Sequence, residues 1–74
     1  MKVYDVLDTL DGNTCVAIGY YNPLTGDEEV IYKSWESIGL PAEIGNAKAN
    51  YIAIRTCFIP NGVPCLYIEF INGD

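Results

Sequence analysis

The stretch from Tyr51 to Ile71 constrains this chain most. It holds two runs rich in β-branched and aromatic residues, Tyr51 to Ile59 and Val63 to Ile71, separated by Pro60-Asn61-Gly62. Such a pattern predicts a β-hairpin. Side chains alternate between the faces of a strand, so a slip of one residue exchanges the faces, and the apolar pattern selects the register. A two-residue Asn61-Gly62 loop sets Ile54 against Glu69 and Thr56 against Tyr67, mixing polar and apolar groups. A three-residue loop, Pro60-Asn61-Gly62, instead gathers Ile52, Ile54 and Phe58 on one face with Leu66, Ile68 and Phe70. Tyr51, Arg55, Cys57, Cys65, Tyr67 and Glu69 then share the other. Pro, Asn and Gly suit the successive positions of a type I turn followed by a left-handed residue. Pro64 has no N–H to give to a ladder, so the second strand borders an edge or begins beyond it.

The first half is read in the same way. Val3, Val6, Leu7 and Leu10 recur at i, i+3, i+4, i+7, one stripe of an amphipathic helix with Asp5 and Asp8 outside it and Gly12 as its stop. A strand over residues 2–10, turning at Asp11-Gly12, is the competing reading. The run Thr14 to Tyr21 predicts a strand, the turn-rich Asn22 to Asp27 a reversal, and Glu28 to Lys33 the returning strand. Ser34 can cap a helical turn through Ile38, and Pro41 can open another through Ile44. Gly39 and Gly45 interrupt that middle segment, which therefore crosses from one hairpin to the other. The expected architecture is a single α+β domain over residues 1–74. It has an antiparallel sheet of about four strands, made of two hairpins, with a short N-terminal helix on one face. Ile52, Ile54, Leu66, Ile68 and Phe70 would lie under Val3, Val6, Leu7 and Leu10, leaving the Tyr51/Tyr67 face uncovered. A small five-stranded β-barrel is the alternative if the first segment is a strand.

Composition narrows the function classes. Ten acids against four bases give a net charge of −6, and half of the residues are hydrophobic. The apolar content is too high for a disordered chain. The charge repels phosphate, which argues against direct nucleic-acid binding and against anionic membranes, and it favours a protein partner with a basic surface. No apolar run approaches the roughly 20 residues that span a bilayer, and no signal peptide is evident, so the expected location is the cytoplasm of a host cell. The odd count of three Cys argues against a disulfide framework, although the register would place Cys57 across from Cys65. The chain has no His, which excludes Ser-His and Cys-His catalysis, and it has no phosphate-binding glycine loop. The residues around Gly12 and Gly26 do not match an EF-hand. No cofactor and no metal site is implied, and the expectation is a protein that is not an enzyme.

The opening Val3-Tyr4-Asp5-Val6-Leu7-Asp8-Thr9-Leu10-Asp11-Gly12-Asn13-Thr14-Cys15-Val16-Ala17-Ile18 and the later Thr25-Gly26-Asp27-Glu28 turn resemble small uncharacterised proteins of bacterial phages and mobile elements. The resemblance covers about half of the chain, is carried by apolar spacing and turn residues, and implies no activity or site. It makes a phage-like origin plausible, and with it an inhibitor of host defence of the anti-CRISPR kind.

Three functional classes follow. The first is a protein-binding module, with Asp5, Asp8, Asp11, Asp27, Glu28, Glu29, Glu36 and Glu43 supplying charge and Tyr20, Tyr21 and Trp35 supplying anchors. For Trp35, a plug over the sheet is the competing role. The second is a homo-oligomer that binds a small molecule through the Tyr51/Tyr67 face. There Arg55 would meet an anion, unless it pairs across the strands with Glu69. The third is a structural component of a larger assembly.

Overall fold

Two hairpins and two short helices follow one another along the chain. Their order is α1 (Val3–Leu7), β1 (Val16–Asn22), β2 (Asp27–Lys33), α2 (Ala42–Gly45), β3 (Ala49–Arg55) and β4 (Cys65–Phe70). The computed structural model describes residues 1–36, 39–56 and 62–71. The strands form one open sheet in the order β2-β1-β4-β3. The expected α+β fold of four strands with an N-terminal helix is therefore what the chain adopts. The sheet does not close into a barrel.

The sheet is mixed, where antiparallel pairing throughout was expected. Each hairpin is antiparallel, but the central strands β1 and β4 run parallel, with Val16↔Leu66 and Ile18↔Ile68 in register. The cause lies in residues 34–48. A parallel return needs a crossover of about a dozen residues or more, and this segment is long enough to carry the chain from one edge strand to the other. Its apolar residues Leu40, Ile44 and Ala47 pack on the main core as they cross.

Local chemistry sets the elements. The Asp5 carboxylate accepts the Lys2 N–H at 2.8 Å, half of a capping box at the start of α1. The helix is one turn shorter than its apolar stripe suggests, because residues 8–10 close it with turns back to Tyr4, Val6 and Leu7. Between β1 and β2, Asn22 Oδ1 accepts the Leu24 N–H at 2.9 Å, and Gly26 takes a φ of +76°, a conformation that glycine adopts without strain. The Ser34 Oγ accepts the Val16 N–H at 2.8 Å, tying the end of β2 to the start of β1.

In the second hairpin the apolar pattern selects the faces correctly but not the register. The pairs are Ile52↔Ile68, Ile54↔Leu66 and Arg55↔Cys65, two residues away from those a three-residue loop would impose. A two-residue slip keeps every side chain on its own face, so hydrophobic patterning cannot detect it. The ladder starts just after Pro64, and Gly62 takes the expected left-handed φ, +70°. The expectations for Cys57, Phe58, Pro60 and Asn61, including the Cys57–Cys65 pairing, lie outside the described residues, as do those for Ser37 and Ile38.

Val3, Val6, Val16, Ile18, Ile68 and Phe70 form the main core, with Leu7, Leu10 and Leu66 packed against it. Burying each such aliphatic or aromatic side chain stabilises by roughly 1.5–3 kcal/mol. The core centres on the two central strands, with Tyr32 of β2 and Ala49 of β3 at its margin. Ile52 and Ile54 lie on the core face but on the edge strand β3, and they stay 44% and 62% exposed rather than buried under α1.

Candidate protein-binding site

The face away from the helices is closed by long side chains rather than by a second layer of helix. Arg55 reaches from β3 across β4 and β1 to Glu28 on β2, donating from Nη2 to Oε2 at 3.1 Å and from Nε to Oε1 at 3.3 Å. Arg55 therefore pairs with Glu28, not with Glu69. Its guanidinium carbon sits 5.7 Å from the ring centres of both Tyr51 and Tyr67, within reach of cation–π attraction. Under this bridge Ala17, Cys65 and Tyr67 are fully buried, so the part of the face around Cys65 and Tyr67, expected to lie open, is sealed, while Tyr51 stays exposed. β1 carries Gly19 at the bulge opposite Val30, where the backbone of β2 comes close. A Cβ there would strike the Glu29 carbonyl.

The electrostatics follow from this packing. The hydrogen bond to Glu28 is the main reason Arg55 holds its proton more tightly than a free arginine, and Tyr51 adds to it. The Tyr67 hydroxyl is pushed above the ordinary tyrosine value, first by burial and then by the charges of Glu69 and Glu28.

A cleft of about 380 Å³ opens where the parallel strands part. The β1–β4 ladder ends at Gly19↔Glu69, after which β1 continues against β2 and Phe70 pairs with Ala49 on β3. Crevices at the carboxyl ends of adjacent parallel strands are a recurrent place for ligands in open sheets. Tyr20 and Phe70, in an edge-to-face pair with centroids 5.9 Å apart, line it together with Tyr21, Asn22 and Pro23. Glu69 and Asn50 line it too, and the half-buried Glu69 carboxylate accepts the Tyr67 hydroxyl at 3.3 Å and the Asn50 amide at 3.4 Å. An ionised carboxylate has about four acceptor positions, so Glu69 retains capacity for a donor entering the cleft. Among the described residues no Lys or Arg lines it.

The residues singled out from sequence fall into three places. Tyr20, Tyr21, Asp27, Glu28 and Glu29 come together at the turn end of the β1–β2 hairpin, although Tyr20 and Tyr21 point to opposite faces and Glu28 is held by Arg55. Asp5, Asp8, Asp11 and Glu43 are exposed on α1, the turn after it and the neighbouring α2. Trp35 and Glu36 lie beyond the opposite end of β2, where Glu36 meets Lys33 at 3.5 Å. Trp35 is 37% exposed, which does not fit a plug over the sheet. Glu69 and Asn50 were not singled out as site residues. The available signal was one acid inside the otherwise uncharged run from Cys65 to Ile71.

Among the described residues no three His, Cys, Asp or Glu stand close enough to hold a metal ion. No helix among them is long and apolar enough to cross a membrane. No protein-family model, curated protein or solved structure matches the chain.

Proposed function

We propose that this protein is a non-enzymatic acidic module that binds the basic surface of another protein. The observation that supports this reading best is the cleft between β1 and β4. It combines tyrosine rings with a half-buried carboxylate and lacks any lining cation among the described residues. An arginine or lysine side chain is the group that both features attract. Beside the cleft the hairpin turn presents Leu24 and Tyr21, 93% and 53% exposed, next to Asp27. Apolar and aromatic anchors flanked by charge are typical of surfaces where a few residues dominate binding. The further acids on α1 and α2 extend the negative field and would speed encounter with a positive partner.

The resemblance of the first half to phage proteins narrows the partner. A phage-encoded inhibitor of a host nucleic-acid-handling defence protein, acting in the host cytoplasm in the anti-CRISPR manner, would meet a surface rich in Lys and Arg evolved to hold phosphate. An acidic module occupies such a surface without binding nucleic acid itself.

The test is calorimetric titration of the protein with a candidate basic partner or a lysine- and arginine-rich peptide at low and high salt. Glu69→Gln and Tyr21→Ala are each expected to weaken binding by about tenfold, and added salt to weaken it further. Binding that ignores salt, or that both substitutions leave unchanged, would remove this reading.

A further inference from the structure

The two edges of the sheet are guarded differently. β2 carries Asp27, Glu28, Glu29 and Lys33, and charged side chains are a usual device for keeping an edge strand from pairing with another chain. β3 reads Ala49-Asn50-Tyr51-Ile52-Ala53-Ile54-Arg55, and its single charge is drawn across the sheet to Glu28. The stretch of the first residues that bridges to Lys48 reaches only the start of this edge: Val3 N–H bonds to Ala47 O and Ala49 N–H to Met1 O. From Tyr51 to Arg55 no described strand pairs with the outer side of β3.

We infer that β3 is the dimerisation edge of the protein, pairing antiparallel with β3 of a second copy across a two-fold axis at Ala53. The occupant follows from self-complementarity. Pairing centred on Ala53 sets Ile52 opposite Ile54 of the second copy, and Ile54 opposite its Ile52, so the four exposed isoleucine side chains meet on one face. On the other face Tyr51 stands opposite Arg55 of the second copy. No like charges are opposed, which matters for two chains that each carry −6. The shift by one residue that would break this match also turns the isoleucines to the wrong face. A two-fold perpendicular to the sheet keeps both helical layers on the same side, giving one continuous sheet of eight strands in which neither β3 is an edge. This inference goes beyond the binding reading and uses a different surface from the cleft.

Sedimentation equilibrium of the whole protein from micromolar to millimolar concentration tests it, together with Ile54→Lys. The expected result is a concentration-dependent doubling of mass that Ile54→Lys weakens by about tenfold or more, while Ile31→Lys on the β2 edge leaves it unchanged. Circular dichroism checks that each variant is folded, and Ile52→Thr, which keeps strand propensity, stands in if Ile54→Lys is not. Amide exchange adds a readout without substitution: protection should grow with concentration in β3 and not in β2. A monomer at every concentration, a dimer indifferent to both β3 substitutions, or protection growing in β2 instead would overturn the inference.

Discussion

At the scale of single residues, the side chains that organise the helix-free face act across strands that lie far apart in sequence. Arg55 and Glu28 are brought together only because β3 and β2 sit on opposite sides of the same four-stranded sheet. No spacing rule connects them, so their pairing was not legible beforehand, and the nearer acid Glu69 was the natural guess. Tyr67 lies beneath this bridge, and its raised hydroxyl pKa has a consequence for stability. The folded state holds that proton more tightly than the unfolded chain, whose tyrosines titrate at about pH 10. The contribution is therefore complete below about pH 10 and is lost as pH rises toward the higher folded value. The expected outcome is that one tyrosine resists ionisation in an ultraviolet absorbance titration until the fold is lost. Tyr67→Phe should remove that resistant component and flatten the fall in stability above about pH 10.

At the scale of elements, α1 shows how little local structure is needed when packing supplies the rest. Five residues cannot hold a helix alone. Val3 and Val6 hold this one against Ile18 and Ile68, and Asp5 satisfies the Lys2 N–H at its start. Removing that carboxylate loses the cap and a favourable charge at the positive end of the helix. Asp5→Ala is expected to lower stability by about 0.5–1 kcal/mol in urea unfolding without changing the slope of the transition. The helix was readable because its apolar residues repeat at helical spacing. The second hairpin was readable as an element and in its faces, but its register was not. A shift by two residues preserves the pattern, so the apolar and polar faces alone do not select among such shifts.

At the scale of the whole molecule, charge sets behaviour. A net −6 on 74 residues is a self-repelling distribution. Among the described residues only two ion pairs, Arg55–Glu28 and Lys33–Glu36, would lose attraction on screening. Added salt is therefore expected to raise the melting temperature by a few degrees in thermal unfolding between low and moderate sodium chloride. A falling melting temperature would mean that the two pairs outweigh the repulsion. The sequence by itself determined what depends on neighbours along the chain: helix, strands, turns and the division of the last hairpin into an apolar and a polar face. Those follow from period, β-branching and turn residues. Only the tertiary structure decided that β1 and β4 run parallel, that their ends part into a cleft holding Glu69, and that β3 is left as the weakly guarded edge. These depend on how the crossover returns the chain, and on which strands the core centres. Both are set by contacts between residues distant in sequence, where local pattern carries no information.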